Sequence, residues 1–170
     1  MKNLVKALGV AGVLAVTGTA HALTATSSFT VTATVLKACT VSATNIAFGN
    51  YTPGGGALTG NSTISVKCTK TTPYTVALNA GSGTMGQRTM INGAESLQYQ
   101  LWTSAAFSTI FGDGTSASVT AASPVGGGAG LGAAAQTFTA FGQMPDSAFN
   151  QNAAPLGTNY SDTITVTVTY

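Results

Sequence analysis

Residues 24–35 read TATSSFTVTATV, and this stretch decides how the rest of the chain is interpreted. It contains no charge, glycine or proline, and the apolar positions that alternate with hydroxyl residues are Phe29, Val31, Ala33 and Val35. Alternation with a period of two predicts a β-strand with one apolar face. Because no strong turn former follows before Ser42, residues 24–42 would extend over roughly 60 Å, whereas most strands have only about 3 to 10 residues. We therefore expect part of this segment to overhang its own domain.

The rest of the chain also alternates with a period of two. Strands are predicted near Cys39, Ile64, Tyr74, Leu97, Phe138 and Ile164, with a short one after the first cysteine at Asn45–Phe48. The last strand has an apolar face formed by Ile164, Val166, Val168 and Tyr170. Turns rich in glycine and proline separate the strands, and residues 124–132 are expected to be a plain loop. Without helices between the strands, this pattern predicts an all-β antiparallel sandwich or barrel.

The number of predicted strands suggests that the sandwich is incomplete. An immunoglobulin-like sandwich needs about seven strands, and the count here is about six. A sandwich that lacks one strand exposes an apolar groove and an unpaired backbone edge. Residues 24–35 have the alternation that such a groove accepts, which predicts donor-strand complementation between subunits in an open, head-to-tail filament. The alternative is that residues 24–35 are the domain's own first strand, followed by a bend that the sequence does not mark.

Residues 1–22 have the order of a secretory signal peptide. Lys2 and Lys6 provide the charge, an apolar run ends at Val16, and small residues lead to a cleavage site expected after Ala22. A membrane anchor is the alternative, but the apolar run from Leu4 is shorter than the roughly 20 residues that a span needs. We therefore expect an exported protein without a membrane span, with residues 23–36 as an N-terminal donor extension and residues 37–170 as the sandwich domain.

The predicted mature chain has no net charge. The full chain has six basic and four acidic residues, and removal of Lys2 and Lys6 leaves four of each. Nucleic acid is therefore not expected as a partner, because binding its backbone needs a basic surface. The only histidine, His21, lies in the predicted signal peptide. With four scattered carboxylates and two cysteines remaining, we expect no catalytic residues, no metal and no cofactor, which argues against a secreted enzyme.

The two cysteines, Cys39 and Cys68, most simply form one disulfide in an oxidising compartment. Cys68 alternates in phase with Ile64 and Val66, which places it on the inward face of its strand and makes a bridge between strands plausible. A pair of buried thiols is the alternative.

Several motifs, in order along the chain, resemble the spore coat protein U domain family. They are Ala38–Ala43, Ile46–Tyr51, Thr63–Thr69, Pro73–Leu78, Leu97–Thr103 and Asn159–Val168. This family includes major subunits of archaic chaperone-usher pili of the Csu type. The resemblance implies an incomplete immunoglobulin-like β-sandwich that is completed by donor-strand complementation from a neighbouring, identical subunit.

The same resemblance implies partners and residue roles. A periplasmic pilus chaperone would hold the subunit, and an outer-membrane usher would exchange the chaperone's strand for the next subunit's, giving a fimbrium for attachment and biofilm formation. The residues that correspond to the family's donor strand are Phe29, Val31, Ala33 and Val35, and Cys39 with Cys68 corresponds to its disulfide. The C-terminal acceptor-edge strand would present Ile164, Val166, Val168 and Tyr170.

Two other roles stay open. The family name also covers spore coat components, so the chain could be a coat or other outer-surface structural protein. A tip adhesin would bind a receptor through a pocket, for which Tyr99, Trp102 and Tyr160 are the candidate residues. The location of the chain, along the fibre or only at one end, distinguishes the adhesin from the main subunit.

Overall fold

The computed structural model describes residues 22–154 and 160–170. The predicted signal peptide lies outside the described residues except for Ala22. The chain divides into two compact units, residues 1–34 and residues 35–170. In the first unit, residues 22–34 belong to no helix or strand and are exposed to solvent. No helix in the described part of the chain is long and apolar enough to cross a membrane.

The second unit is built of β-strands, apart from one short helical turn. In chain order the described elements are β1 (Cys39–Ala43), β2 (Leu58–Cys68), β3 (Thr75–Leu78), β4 (Arg88–Asn92), β5 (Glu95–Trp102), β6 (Ala121–Ala122), β7 (Gln136–Met144), α1 (Ala148–Gln151) and β8 (Val166–Thr169). The six predicted strands are confirmed as β1, β2, β3, β5, β7 and β8. Strands β4 and β6 were not predicted, because β4 begins with an arginine and β6 is only two residues long.

The strands form two antiparallel sheets. The larger sheet has the order β1-β2-β7-β5-β4 and the smaller one the order β6-β3-β8. In the larger sheet, β2 lies between β1, where Cys39 is opposite Cys68, and β7, where Leu58 is opposite Met144. In the smaller sheet, β3 lies between β6 and β8. The predicted all-β antiparallel fold is therefore confirmed.

The hydrophobic core consists of the inward-facing residues of both sheets. The best buried of them on β2, β3 and β5 are Ile64, Val66, Val76, Leu78, Tyr99 and Leu101. On β8 and just before it, Ile164, Val166 and Val168 pack against the same core but remain half-buried. Burial of each such side chain stabilises the fold by about 1.5 to 3 kcal/mol when it is complete. The core is therefore incompletely covered along β8.

The prediction of a short strand at Asn45–Phe48 is wrong, because these residues belong to no strand. The reason is a depression in the larger sheet, where Gly60 of β2 lies opposite Gly142 of β7. A Cβ atom on Gly142 would lie 3.1 Å from Phe48 Cζ, and one on Gly60 would lie 2.9 Å from Ile46 Cγ2. Glycine in a strand commonly marks such a close approach. Ile46 and Phe48 therefore pack onto the face of the sheet, and their segment adds no strand to its edge.

The disulfide between Cys39 and Cys68 is confirmed, with an S–S distance of 2.00 Å. It joins directly opposite residues of β1 and β2, so it attaches the edge strand β1 covalently to the sheet. The glycine-rich loop at residues 124–132 packs over this bridge. A Cβ atom on Gly128 would lie 2.8 Å from Cys68 Cβ, and the Gly128 N–H donates to Thr72 O at 2.8 Å. The sequence predicted a loop there but not its contact with the disulfide.

Candidate functional site

Two of the four edge strands of the described sheets, β1 and β8, approach each other across the sandwich. Among the described residues, β1 is hydrogen-bonded to β2 alone, and β8 to β3 alone. These strands belong to different sheets, yet some of their Cα atoms approach within 8 Å. Beyond this approach the two edges continue as residues 43–48 and residues 160–166, and an open cavity lies between them. We call this cavity, with its two flanking segments, the edge groove.

The edge groove has a volume of about 490 Å³. Ile46 and Phe48 line one wall, and Ile164 and Val166 line the other. The floor is formed by core residues, among them Ile64, Leu78, Tyr99 and Leu101. The groove therefore opens directly onto the hydrophobic core of the domain.

The edge groove has the two properties that an extended polypeptide needs for binding. The free edges of β1 and β8 offer backbone groups that can pair with an added strand. The apolar floor can receive the alternate side chains that such a strand points inward. Within the described ranges, no group of three or more histidine, cysteine, aspartate or glutamate residues could hold a metal ion. The free edges and the apolar floor suit an uncharged strand with one apolar face.

Asp162 attaches one wall of the edge groove to the body of the domain. Its Oδ1 accepts hydrogen bonds from the backbone N–H and the Oγ of Ser82, both at 2.9 Å. Its Oδ2 accepts a hydrogen bond from the Tyr99 hydroxyl, with an O–O distance of 2.6 Å. Burial raises the pKa of Tyr99, and the hydrogen bond to Asp162 raises it further, so Tyr99 remains a neutral donor. The neighbouring Ser161 exchanges two backbone hydrogen bonds with Ile91 of β4, at 2.9 and 3.1 Å.

A buried guanidinium supports the turn beneath this wall. Arg88 is fully buried, and its Nη2 donates to the backbone oxygens of Asn79 at 2.8 Å and Phe111 at 2.9 Å. Its Nη1 donates to Gln100 Oε1. Burial lowers the pKa of Arg88, although an arginine in a protein keeps its charge. Asn79 Oδ1 accepts the Thr165 N–H at 2.8 Å, which connects this cluster to the C-terminal wall of the groove.

The four acceptor-edge residues predicted from the sequence occupy different positions. Ile164 and Val166 line the edge groove. Val168 is half-buried against the core, further along β8. Tyr170 is 52% exposed and is not part of the groove lining. The structure thus brings two of the four together at the groove.

The candidate adhesin residues are also separated. Tyr99 and Tyr160 line the edge groove, but Trp102 does not. Because side chains alternate along a strand, Trp102 faces the opposite side of β5 from Leu101. Its indole Nε1 is buried and has no hydrogen-bond partner among the described residues. The structure therefore places two of these three aromatic residues in one cavity.

The predicted donor residues are exposed. The exposed fractions of Phe29, Val31 and Val35 are 89%, 81% and 85%, and Ala33 is exposed as well. Single exposed apolar residues are common on protein surfaces, but contiguous apolar patches mark interaction sites. Each of these residues therefore presents apolar surface to solvent.

The sequence did not indicate that Ile46, Phe48 and Asp162 would form part of the site. The glycines opposite Ile46 and Phe48 could have suggested a close approach, because Gly60 and Gly142 interrupt otherwise regular strands. Nothing comparable marks Asp162, because its partner Ser82 lies 80 residues away in the chain.

Two antiparallel sheets around one core, with an open groove between two free edges, define an incomplete immunoglobulin-like β-sandwich of the pilin type. Residues 25–167 match the Spore Coat Protein U domain, and the chain belongs to this family. The resemblance inferred from the sequence motifs is thereby confirmed.

Among solved structures, the chain is similar to the crystal structure of the CsuC–CsuE chaperone–tip adhesion subunit pre-assembly complex from archaic chaperone-usher Csu pili of Acinetobacter baumannii. The sequence identity is 25% and the TM-score is 0.53. The match covers 81% of this chain and 40% of that chain, so this chain spans less than half of the matched chain's length. No curated protein matches the chain.

Proposed function

We propose that this protein is the repeating structural subunit of an exported surface fibre, an archaic chaperone-usher pilus. Its subunits join head-to-tail by donor-strand exchange, and the fibre serves attachment and biofilm formation. The donor residues of one subunit, which enter the edge groove of the next, are Phe29, Val31, Ala33 and Val35. Family membership and the similarity to a Csu pilus subunit complex support this class of function.

The observation that carries the proposal is the edge groove itself. It exposes the hydrophobic core between two unpaired strand edges. The same chain has a charge-free segment, residues 24–35, whose large apolar side chains are exposed. When residues 24–35 of a second copy enter the edge groove, both apolar surfaces are buried in one contact. Because the donor and acceptor surfaces differ, this contact repeats from subunit to subunit and produces a filament.

Burial of the donor side chains supplies a large part of the free energy of this contact. Burial of Phe29, Val31 and Val35 at about 1.5 to 3 kcal/mol each amounts to roughly 5 to 9 kcal/mol. Backbone hydrogen bonds along both groove edges add to this value. The joint needs no catalytic chemistry, since no covalent bond forms between subunits.

An unoccupied groove has consequences for export. Exposed core residues and unpaired edges make a subunit prone to aggregation. We therefore propose that a periplasmic chaperone covers the groove and that an outer-membrane usher replaces it with the next subunit's donor strand. The solved complex to which the chain is similar is a chaperone with a tip adhesion subunit. The assembled fibre would lie on the cell surface, as would a coat made by the same strand exchange.

The proposal is tested by deletion of Thr24–Val35. The exported protein is analysed by electrophoresis in cold detergent and again after boiling. We expect the unmodified protein to form a ladder of multimers that boiling converts to monomer. The deletion variant should be monomeric in both lanes, with a similar total amount after boiling. A ladder of unchanged length in the deletion variant would show that these residues are not the donor.

A tip adhesin is a second candidate, because the similar solved structure is a complex that contains a tip adhesion subunit. Antibodies against this chain, imaged on isolated fibres by electron microscopy, distinguish the two roles. Labelling along the fibre identifies the repeating subunit, whereas labelling at one end identifies the adhesin.

A further inference from the structure

The C-terminal wall of the edge groove is weakly held by backbone pairing. Strand β8 begins only at Val166, and before it Ser161 makes an isolated bridge with Ile91. Residues 162–165 belong to no strand, although Ile164 lines the groove, and the Asn79 N–H donates to Thr165 O at 3.2 Å. Because these backbone hydrogen bonds are few, side-chain contacts contribute to the position of this wall.

Asp162 provides most of these contacts. Besides the two hydrogen bonds from Ser82 and the one from Tyr99, its Oδ1 accepts the Thr163 N–H at 2.8 Å. Tyr99 belongs to β5 and is only 6% exposed, so it is a rigid partner. The carboxylate thereby connects the wall to the larger sheet and to the turn at residues 81–83.

The turn is shaped to admit this carboxylate. Gly81 has a φ angle of 62°, and a Cβ atom there would lie 2.0 Å from Asp162 Oδ2. An L-residue at this position would be strained by its backbone conformation and would collide with the carboxylate. Glycine is therefore required at position 81 for the Asp162 carboxylate to lie against this turn.

We infer that Asp162 is a positioning residue of the edge groove, which holds the C-terminal wall in place so that the groove is formed before a donor strand arrives. This inference rests on the proposed function. A binding site that is already formed avoids the cost of ordering its walls on binding. If only about a tenth of the molecules had the wall in place, the apparent affinity for the donor would fall about tenfold.

Asp146 offers a matched control within the same domain. Its Oδ1 accepts hydrogen bonds from the Tyr51 hydroxyl and from the Gly54 N–H, the latter at 3.1 Å, and its Oδ2 accepts the Gly56 N–H at 2.9 Å. Like Asp162, it attaches an irregular segment through several neutral donors. Unlike Asp162, it does not line the edge groove.

The test compares four variants of the full chain: Asp162→Ala, Asp162→Asn, Gly81→Ala and Asp146→Ala. The amount of monomer after boiling reports folding and export. Two measurements report the strength of the contact between subunits. One is the temperature at which the multimer ladder dissociates in detergent. The other is the rate at which a labelled synthetic peptide of residues 24–36 replaces the resident donor strand.

For Asp162→Ala we expect the apparent affinity for the donor strand to be about tenfold lower. Because affinity differences between variants of one interface lie mostly in the dissociation rate, peptide exchange should be faster and the ladder should dissociate at a lower temperature than for Asp146→Ala. Gly81→Ala should act in the same direction, because it displaces an intact carboxylate. Asp162→Asn should restore most of the joint, since its amide oxygen still accepts from Ser82 and its NH₂ group can donate to the Tyr99 oxygen.

The outcomes separate this inference from the function on which it rests. Exchange rates and ladder dissociation temperatures of Asp162→Ala and Gly81→Ala that equal those of the unmodified chain would overturn the positioning role and leave the proposed function intact. If Asp162→Ala is not exported, the comparison of Gly81→Ala with the unmodified chain decides the question. If the unmodified chain forms no ladder, both proposals fail.

Discussion

Gly60 on β2 lies directly opposite Gly142 on β7, and the missing side chains of this pair leave the depression in which Ile46 and Phe48 pack. These two packed residues form one wall of the edge groove. The shape of the groove on this side therefore depends on two positions in the sheet where an added side chain would press on Ile46 and Phe48.

The first prediction concerns this glycine pair. The double substitution Gly60→Ala and Gly142→Ala adds two methyl groups in contact with Ile46 and Phe48. We expect it to lower the free energy of unfolding by about 1 to 3 kcal/mol through overpacking. Urea unfolding of the monomer fraction, followed by circular dichroism, measures this change.

Gly132→Ala is the matched control, because a Cβ atom there would have no neighbour within 4 Å. It should leave the stability unchanged or raise it by up to about 1 kcal/mol. Equal stabilities of the double variant and this control would show that the depression is not needed for packing.

The second prediction concerns the disulfide. Replacement of both Cys39 and Cys68 by alanine should lower the free energy of unfolding by about 3 to 4 kcal/mol, because the bridge closes a loop with a sequence separation of 29. Since β1 is paired on one side only, its end at residue 39 should also lose protection from hydrogen exchange. Hydrogen exchange with mass spectrometry on the variant and the unmodified protein tests both effects. Unchanged exchange in β1 would mean that pairing with β2 alone holds this strand.

The third prediction is a pH dependence at Asp146. Its hydrogen bond from Tyr51, together with those from Gly56 and Gly54, lowers its pKa to about 2. A carboxyl group with a lowered pKa in the folded state stabilises the fold above its unfolded value of about 3.9, and this contribution is lost as the pH falls towards the folded value. The unmodified protein should therefore be more stable than Asp146→Asn at pH 6, and the difference should shrink between about pH 4 and pH 2.

Thermal unfolding of both proteins across this pH range gives the measurement. Tyr51 adds an expectation at high pH. Burial and Asp146 raise the pKa of Tyr51 to about 12. The stability that the neutral Tyr51 hydroxyl gives to the fold should therefore be lost as the pH rises above about 10. A difference between Asp146→Asn and the unmodified protein that stays constant from pH 6 to pH 2 would contradict the role of the ionised carboxylate.

The fourth prediction concerns the side of the donor strand that enters the groove. Val31→Asp should place a charge against an apolar floor, at a cost of several kcal/mol unless the charge finds a partner. Fibres of this variant should dissociate in detergent at a lower temperature than unmodified fibres. Thr32→Asp is the matched control, because the next residue of a strand faces the opposite side and its charge would remain in water. Equal heat resistance of the two variants would show that Val31 does not face the groove.

Much of the fold could be predicted from short-range patterns. The alternation at Ile64, Val66 and Cys68 marked the inward face of β2, and these residues are buried. Alternation is a local property, so it identifies a strand without knowledge of its neighbours. The prediction of a strand at Asn45–Phe48 was wrong, because the conformation of this segment depends on its packing against Gly60 and Gly142, which lie on β2 and β7.

By itself the sequence determined that the chain is an all-β protein, that Cys39 and Cys68 can pair, and that residues 24–35 carry an apolar face. These properties follow from the order of neighbouring residues and from composition. Only the tertiary structure decided where the core lies open, and that Asp162, Ser82 and Tyr99 meet at one wall of the groove. The physical reason is that hydrogen bonds and packing contacts between residues as much as 95 positions apart depend on how the chain folds, which no local pattern records.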